Sequence, residues 1–474
     1  MRYDRSPASR ARVVKSAAAE TFRPPRTPPL SALLGLLRTA WRGEGDLLSL
    51  MPAAAYRMPV GRLGYSRRTI LLVNDPALVR EILADDGATY PKGDLMVAAL
   101  EPLVGDSIFV SSAEVWRRQR AMIDPAFSHM RLGRAFASMQ SALDEVEARL
   151  DEYAASGAAF SLDLTMSHLT ADIICRTVFS TSLQTSTARE VFDAFALFER
   201  SVAQVELRRL IFDPAWTAVP QREEVLAACN RIRHHLGELV DLHAGSAEGA
   251  YNDIAAAVMA ARDAASGQSF TRKELIDQLG VFFLAGHETT ASALTWAFFI
   301  AACHGPTRNR IREEVAALVG NAPVDFEATR RLAHVRNVFR ETLRLYPPIT
   351  FMPRVALAPG RIGPCKVRRG TLVMISPWAL HRHQRYWRDP DLFDPDRFLA
   401  ARESELTPGA YLPFGAGPRV CVGQGFAMVE AVLILARLLS RYDFEVLDPG
   451  RVRPVARLTT RPAEQIMCRV RLRG

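Results

Sequence analysis

The sequence predicts one large domain that is mainly helical and contains a few strands. Most of the chain carries apolar residues at helical spacing, whereas residues 69–73 and 466–472 have the composition of strands. A length of 474 residues would allow about three domains of ordinary size. However, no linker, repeat or low-complexity tract divides the chain after residue 30. We therefore expect residues 31–474 to form a single domain.

The first thirty residues differ in composition from the rest. Arginines are interspersed with Ala and Ser, and four prolines follow between residues 24 and 29. This pattern predicts a basic tail over residues 1–30 that ends in a stiff connector. The apolar run at residues 30–37 is far shorter than the ~20 residues that span a bilayer, and its flanks differ from those of a secretory signal. We expect no transmembrane anchor and a cytoplasmic location.

The charge pattern argues against a nucleic-acid-binding protein. The net charge is +9, but arginines are mixed with acidic residues along the whole chain. Such mixing is typical of an ion-paired surface and differs from the clustered stripe that binds nucleic acid. A basic face that docks an acidic protein partner remains compatible with this composition.

The six cysteines are far apart and never occur in a C-x-x-C spacing. This spacing excludes a zinc ribbon, and a chain of this size does not need a disulfide framework. Five of the cysteines have apolar neighbours, as buried thiols do. Cys421 is different.

Cys421 lies in a glycine-rich loop directly before an apolar run of helix length. The loop reads FGAGPRVCVGQG over residues 414–425, and the apolar run extends to residue 439. Glycines allow tight turns and close approach of a large planar ligand. The positive end of the following helix would favour a thiolate and lower the pKa of Cys421.

Residues 414–427 resemble the haem-binding signature of the cytochromes P-450, F-x-x-G-x-R-x-C-x-G-x-x-x-A, and match every fixed position. The resemblance implies that haem b is bound with Cys421 as the axial iron ligand. It also implies that Phe414 shields the sulfur, that Arg419 pairs with a haem propionate and that Gly423 adjoins the cofactor. A thiolate ligand favours O–O cleavage, so it points to oxygen chemistry.

A second motif lies in the middle of a long predicted helix. Thr271 and Glu274 fit a capping box, and the apolar stretch that follows continues to about Cys303. Its centre reads AGHETT over residues 285–290. A glycine, an acid and two threonines are unfavourable there, and such violations tend to mark functional sites. We expect the Thr289 hydroxyl to bond back to the Ala285 carbonyl and open the helix locally.

This segment resembles the A-G-x-[DE]-T-[TS] motif over the distal haem face of the same family. The resemblance implies that Glu288 and Thr289 are the catalytic pair that delivers protons to bound dioxygen, and that Ala285 adjoins the haem. His287 occupies the variable position, and we do not expect it to bind a metal. The alternative interpretation is an N-terminal or surface turn of a helix, where Glu and Thr are common.

Three further motifs complete the resemblance. Glu341 and Arg344 match E-x-x-R, and Arg397 matches the arginine that joins them, although Asp396 replaces the commoner Glu beside it. The resemblance implies a structural network that retains the haem. The other two motifs implied to contact the propionates are Trp116 with Arg120, which match W-x-x-x-R, and Arg354. Without the other motifs, Trp116 and Arg120 would equally fit an aromatic anchor beside a surface arginine.

These signatures occur in family order over about residues 70–474. The resemblance implies a mainly α fold with a smaller β-rich lobe, arranged as a triangular helical prism. It also implies a monomeric monooxygenase that inserts one atom of O2 into a hydrophobic molecule. No flavin or iron–sulfur domain is recognisable, so we expect electrons from NAD(P)H through a separate ferredoxin or flavodoxin and its reductase. Arg117 and Arg118 are candidate contacts for an acidic partner.

Substrate-facing residues are expected from residues 96–109, 195–205 and 349–352, together with Ala285. The apolar character of the last range suggests a fatty acid, terpenoid or steroid. Three alternative functions share the haem-thiolate fold: a peroxide-dependent peroxygenase, an isomerase or dehydratase, and a non-catalytic gas-binding protein. The pair Glu288 and Thr289 argues against each of them, since none needs proton delivery to dioxygen.

Overall fold

The computed structural model describes residues 21–31, 33–35, 37–38, 46–63, 68–202, 221–247 and 249–473. The expected mainly helical fold with a smaller β-rich part is confirmed. The helices are α1 (Pro76–Leu83), α2 (Asp94–Val104), α3 (Ala113–Ile123), α4 (His129–Ser156), α5 (Leu162–Phe179), α6 (Ser186–Val202), α7 (Glu223–Ala244), α8 (Ile254–Met259), α9 (Arg272–Cys303), α10 (Gly305–Leu318), α11 (Phe326–Arg331), α12 (Ala333–Leu345), α13 (Pro377–Leu380) and α14 (Gln424–Arg441). Short 3₁₀ helices lie at Leu47–Leu50, Ala53–Tyr56, Asp124–Phe127, Pro395–Phe398, Ala400–Glu405 and Pro449–Arg451.

The strands form small sheets at the side of the helices. They are β1 (Val60–Leu63), β2 (Ile70–Val73), β3 (Phe160–Ser161), β4 (Met352–Val355), β5 (Gly360–Ile362), β6 (Cys365–Val367), β7 (Leu372–Ile375), β8 (Tyr442–Val446), β9 (Pro454–Ala456), β10 (Thr460–Pro462) and β11 (Met467–Leu472). The largest sheet has the order β1-β2-β7-β4, with β2 and β7 parallel. A second sheet has the order β3-β11-β8, and β5-β6 and β9-β10 are hairpins. The two strands predicted from sequence are β2 and β11.

The central helix α9 organises the helical part. It packs against α5, α7, α2 and α12, and most of its residues are buried. The capping box is confirmed, because the Thr271 side chain accepts from the Glu274 backbone while the Glu274 side chain accepts from the Thr271 backbone. The helix ends before His304, as predicted. At about 1.5 Å per residue this helix of 32 residues is about 48 Å long.

The described part of the predicted tail packs against the domain. Pro25 accepts a hydrogen bond from the Tyr346 hydroxyl at 2.5 Å, and the ring of Phe22 stacks on His304. Arg26 pairs with Asp391 at 2.7 Å. The more basic part, residues 1–20, lies outside the described residues, and the division of the chain at residue 30 stays a prediction. Within the described ranges, no helix is both long and apolar enough to cross a membrane.

A buried ion network supports the loop that carries Cys421. Glu341 Oε2 lies 2.7 Å from Arg344 Nε, and Glu341 Oε1 lies 3.3 Å from Arg397 Nε. All three side chains are buried. Arg344 also donates to the carbonyls of His381, Pro390 and Leu392. The network therefore ties α12 to the chain that leads into the loop. Paired and hydrogen-bonded buried charges of this kind fix geometry, because removing one partner leaves another charge uncompensated.

Candidate active site

A cavity of about 270 Å³ separates the middle of α9 from the loop before α14. Ala285 and Thr289 of α9 line one side, and Phe414 and Cys421 line the other. The long helix and the short loop come together here because both pack against α12 and the core around it. The cavity is thus built from the two segments that carry the strongest sequence motifs.

The loop conformation around Cys421 depends on its glycines. Gly415 and Gly417 have φ of 77° and 71°, a region that other residues rarely adopt. A Cβ atom on Gly417 would also overlap the carbonyl oxygen of Leu83. The Cys421 amide donates to the Phe414 carbonyl at 3.0 Å, which closes the loop. The accessible surface of Cys421 faces the cavity.

The pKa of Cys421 differs from the sequence-based expectation. Burial raises the pKa of the thiol, and this effect outweighs the Gly423 amide, Arg120 and Lys92, which act to lower it. The expected lowering of the Cys421 pKa is therefore wrong for the protein without a bound metal. A metal cation bound to the sulfur would supply the missing positive charge, because a coordinating thiol loses its proton outright.

Four cations line one end of the cavity: Lys92, Arg120, Arg354 and Arg419. Burial and the neighbouring Arg419 and Arg354 hold the pKa of Lys92 well below its ordinary value. Burial lowers the pKa of Arg354 and of Arg419 to about 10. Such lowering indicates that Lys92, Arg354 and Arg419 lack sufficient anionic partners.

Arg419 shows this deficit most clearly. Its Nη2 donates to the Ser111 carbonyl and its guanidinium lies 4.8 Å from the centre of the Trp116 ring. Its Nε and Nη1 are buried and have no hydrogen-bond partner among the described residues. Unsatisfied buried donors are rare in folded proteins and call for a partner. A planar ligand with carboxylates at one edge and a metal at its centre would satisfy both these donors and the thiol. The residues present therefore fit a haem.

The cavity wall contains eight of the ten site residues expected from sequence. They are Trp116, Arg120, Ala285, Thr289, Arg354, Phe414, Arg419 and Cys421. Gly423 and Glu288 lie outside the wall; Gly423 donates its amide to Cys421. Lys92 was not predicted from the sequence, because it precedes Gly93 at the start of α2 and belongs to no recognised motif. Its only sequence signal is the scarcity of lysine in an arginine-rich chain.

Thr289 forms the predicted bond to the helix backbone. Its hydroxyl donates to the Ala285 carbonyl at 2.7 Å. The expected local opening is absent, since residues 285–290 remain α-helical. A carbonyl has two lone pairs, so Ala285 accepts the hydroxyl without losing its place in the helix ladder. Thr289 therefore faces the cavity from an intact helix.

Glu288 points away from the cavity and is held by the β9–β10 hairpin. Thr459 Oγ1 donates to Glu288 Oε1 at 2.6 Å, Arg461 Nε donates to the same oxygen at 2.8 Å, and Arg461 Nη2 reaches the second oxygen. Burial acts to raise the pKa of Glu288, but Arg461 outweighs it and holds that pKa below its ordinary value. Glu288 is thus a buried carboxylate at neutral pH.

A second, apolar cavity of about 230 Å³ adjoins the first. The two share the walls formed by Met96, Phe109, Ile349, Phe351 and Pro353. At the tip of the β9–β10 hairpin, Arg457 and Leu458 line the second cavity only.

The predicted substrate-facing ranges agree only in part with these walls. Residues from ranges 96–109 and 349–352 line both cavities, as predicted. Residues 195–199 and 201 line neither: Phe195 is fully buried and stacks on Phe283 at 4.3 Å. The prediction for this part of the range is wrong, because α6 directs the Phe195 ring toward the helical core. Residues 203–205 lie outside the described residues.

Comparison with known proteins agrees with this geometry. A family model described as Cytochrome P450 matches residues 24–469. Cyclooctatin synthase from Streptomyces melanosporofaciens is 31% identical over 449 residues, which cover 94% of this chain and 95% of that protein. Cyclooctat-9-en-7-ol 5-monooxygenase from the same organism is 31% identical, with 89% and 88% of the two chains covered. The crystal structure of the cytochrome P-450DA haem domain superimposes with a TM-score of 0.75 at 25% identity, covering 88% of this chain and 90% of that one.

Proposed function

This chain belongs to the cytochrome P-450 family of monooxygenases, and we propose that it uses haem b to hydroxylate or epoxidise a hydrophobic organic substrate. The observation that carries the proposal is the cavity that holds Cys421, Thr289 and four cations, three of which have too few anionic partners. Its donors suit a thiolate-bound iron and two propionates. Haem bound there would supply the activation of dioxygen.

We assign the cofactor contacts as follows. Cys421 would hold the iron, with Phe414 against the sulfur and the Gly423 amide directed at it. Arg419, Arg354 and Lys92 would bind the propionates, since each is a cation without sufficient charge compensation. Arg120 would contribute less, because it already pairs with Asp124 and the Val420 carbonyl, both at 2.6 Å. Trp116 and Ala285 would add contact area along the cavity wall.

Thr289 and Glu288 would manage protons from opposite sides of α9. The Thr289 hydroxyl faces the cavity and donates to Ala285, so its oxygen remains able to accept a hydrogen bond. Glu288 adjoins it in sequence but is bound to Arg461 and Thr459. Delivery of a proton from Glu288 would therefore require the carboxylate to exchange these partners for the cavity side.

The apolar walls support a lipophilic substrate. Phenylalanine, methionine, isoleucine and proline side chains form the shared boundary of the two cavities. The name of one relative gives cyclooctat-9-en-7-ol, a cyclic unsaturated alcohol, as its substrate. We propose a substrate of comparable character for this chain, which favours a cyclic terpenoid or steroid over a fatty acid.

Electrons would come from NAD(P)H through a separate ferredoxin or flavodoxin and its reductase. The proposed docking contacts are Arg117 and Arg118 on α3, the helix that also carries Trp116 and Arg120. In the structure Arg117 pairs with Asp86 at 2.8 Å and Arg118 with Glu274 at 2.6 Å. An acidic partner would compete with these two acids for the arginines. The cytoplasmic location and the monomeric state stay predictions.

Carbon monoxide difference spectroscopy tests the cofactor assignment. The ferrous wild-type protein should show the red-shifted absorption of thiolate ligation, and Cys421→Ala should lose it. A Cys303→Ala variant is the matched control, since Cys303 is a partly buried thiol away from the cavity. Retention of the signal in Cys421→Ala would overturn the proposal.

Turnover separates the remaining functions. A panel of lipophilic compounds is first screened for a spin shift, and the best compound is then supplied with surrogate ferredoxin, reductase and NADPH. Product formation that requires the reductase supports the monooxygenase. Equal product from hydrogen peroxide alone would indicate a peroxygenase, rearrangement or dehydration without either oxidant would indicate an isomerase or dehydratase, and gas binding without any product would indicate a non-catalytic protein.

A further inference from the structure

His287 occupies the variable position of the α9 motif, yet it lies close to two carboxyl groups, those of Glu199 and Glu288. Its side chain is 1% exposed. Nδ1 lies 3.0 Å from the Phe283 carbonyl, which can only accept, so Nδ1 carries a proton. Nε2 is therefore the nitrogen that titrates. It lies 3.1 Å from Glu199 Oε1 on α6.

Glu199 links this buried group to the surface. Its side chain is 13% exposed. Its Oε1 is close to His287 but lacks the alignment of a formed hydrogen bond, and it has no other hydrogen-bond partner among the described residues. One oxygen of Glu199, one oxygen of Glu288 and one nitrogen of His287 all lie within 4.8 Å of one another. A single water spans gaps of this length.

The surrounding charges favour a proton on His287. The groups that face it are Glu199 of α6, Glu288 beside it on α9, and Arg461 of β10, with Asp163 of α5 acting on Arg461. Burial acts to lower the pKa of His287, but the two carboxylates outweigh it and raise that pKa. Glu288 itself stays ionised through Arg461 and so has no proton of its own to give. Arg461 on this carboxylate also argues against a metal ion between the three groups.

We propose that Glu199 and His287 form a branch that supplies protons to Glu288, an inference that rests on the proposed monooxygenase function. The proton on His287 Nε2 moves to a Glu288 oxygen and leaves a neutral imidazole. Glu199, protonated from solvent at its exposed edge, then returns a proton to Nε2. Each transfer moves one proton and no electron. Both residues act through Glu288, so they are positioning residues for the reaction.

The charge of His287 is measured without turnover. Protein with ¹⁵N-labelled histidine is titrated by NMR, and the His287 signal is assigned by its loss in His287→Gln. At pH 6.5, the ordinary imidazole pKa, His287 should be more than half charged, and Glu199→Gln should shift its titration to lower pH. A His287 that is mostly neutral at this pH would overturn the inference and leave the proposed function intact.

The use of the proton is measured as product formed per NADPH consumed. Both His287→Gln and Glu199→Gln should keep the carbon monoxide spectrum, but product per NADPH should fall by up to about 10-fold, with peroxide released instead. In wild-type protein, peroxide release per NADPH should diminish as pH falls. In the two variants it should not change with pH. His168→Gln is the matched control, because His168 packs on Phe192 at 4.7 Å outside this cluster.

A failure of the proton branch can be told apart from a failure of folding and from a failure of the proposed function. Glu199→Gln preserves size and shape, so unchanged product per NADPH in this variant, with normal melting, would overturn the branch. A wild-type protein that binds the test compound and yields no product with any reductant would instead overturn the proposed function. In that case a charged His287 would have no reaction to serve, and the inference would fall with it.

Discussion

Arg461 holds both carboxylate oxygens of Glu288 from the β9–β10 hairpin, on the side of α9 that faces away from the cavity. The acid of the central motif is thus part of a buried ion pair, with side chains 17% and 5% exposed. Removing one partner of such a pair leaves the other charge buried and uncompensated. Releasing Glu288 from Arg461 so that it can bond to another partner should therefore also reduce the stability of α9.

Arg461→Met should destabilise the protein by about 3–5 kcal/mol at pH 7. The folded pKa of Glu288 is lowered, so its contribution is present above the unfolded value of 4.5 and is lost as pH falls through the folded pKa. The difference between variant and wild type should consequently shrink below pH 4.5. Guanidinium unfolding at several pH values measures it, with Arg469→Met as a control on an exposed strand position. A difference that is constant with pH would contradict this prediction.

Glu430→Gln should stabilise the protein at neutral pH. Glu430 on α14 is fully buried, and neither carboxylate oxygen has a hydrogen-bond partner among the described residues. Burial raises its pKa well above the ordinary value, so its folded form favours the neutral acid. Wild-type stability is complete below the unfolded pKa and declines as pH rises toward the folded pKa. The gain in Glu430→Gln should be on the order of 1–3 kcal/mol at pH 8 and vanish near pH 4. Thermal unfolding at the two pH values tests it, and an equal gain at both would refute the assignment.

Arg419→Met should change stability and haem binding in opposite directions. In the haem-free protein it removes buried donors without partners, so the free energy of unfolding should rise by about 1 kcal/mol. The same change removes a propionate partner, so haem should dissociate faster. Arg120→Met is the contrasting variant, because it breaks existing bonds to Asp124 and Val420 and should destabilise the haem-free protein. Denaturant unfolding and transfer of haem to apomyoglobin provide the two measurements. Destabilisation of haem-free Arg419→Met would show that the contacts of Arg419 with Ser111 and Trp116 outweigh the cost of its two unpaired donors.

Gly417→Ala should abolish the haem-bound fold of the loop. The substitution combines a φ of 71° with overlap between Cβ and the Leu83 carbonyl. Gly370→Ala separates these effects, since Gly370 has φ of 82° but open space around it. We expect the control to lose about 1 kcal/mol from backbone strain and to keep its haem. The amount of carbon monoxide-reactive haem in the two purified variants measures the difference. Equal haem content in both would mean that the loop of Gly417→Ala moves away from Leu83.

Charge reversal of Arg117 and Arg118 to Glu should slow reduction by an acidic ferredoxin and weaken its dependence on salt. Stopped-flow reduction at two ionic strengths measures both effects. Arg336→Glu is the control, as this partly exposed arginine lies on α12, a different helix from α3. Unchanged rates in the double variant would place the docking surface elsewhere.

The sequence predicted the central helix, two strands and eight residues of the cavity wall because each depends on local signals. The capping box and the apolar run determine α9, and the spacing around Cys421 determines its loop. The partners of Glu288 could not be predicted in this way. Thr459 and Arg461 lie more than 170 residues away in sequence and belong to a short hairpin without a motif. Lys92 and Glu199 were missed for the same reason, since only the tertiary packing brings them to α9 and the cavity.

The pKa of Cys421 and the position of Phe195 show a second limit. Helix ends and apolar runs report what a segment favours, whereas the degree of burial is set by all the segments around it. Burial reverses the expected shift at Cys421, and it turns Phe195 from a supposed substrate contact into core. Both errors arise from treating a local preference as the final environment.

The β9–β10 hairpin contacts both the apolar cavity and Glu288 within four consecutive positions, 458–461. Leu458 at its tip borders the apolar cavity, while Thr459 next to it and Arg461 grip Glu288. Under the proposed role of Glu288, a mutation that enlarges the cavity at Leu458 should therefore also disturb proton supply. Laboratory evolution toward bulkier compounds at this position should produce variants that release more peroxide per NADPH. Second-site changes that restore the hydrogen bonds to Glu288 should recover product per NADPH.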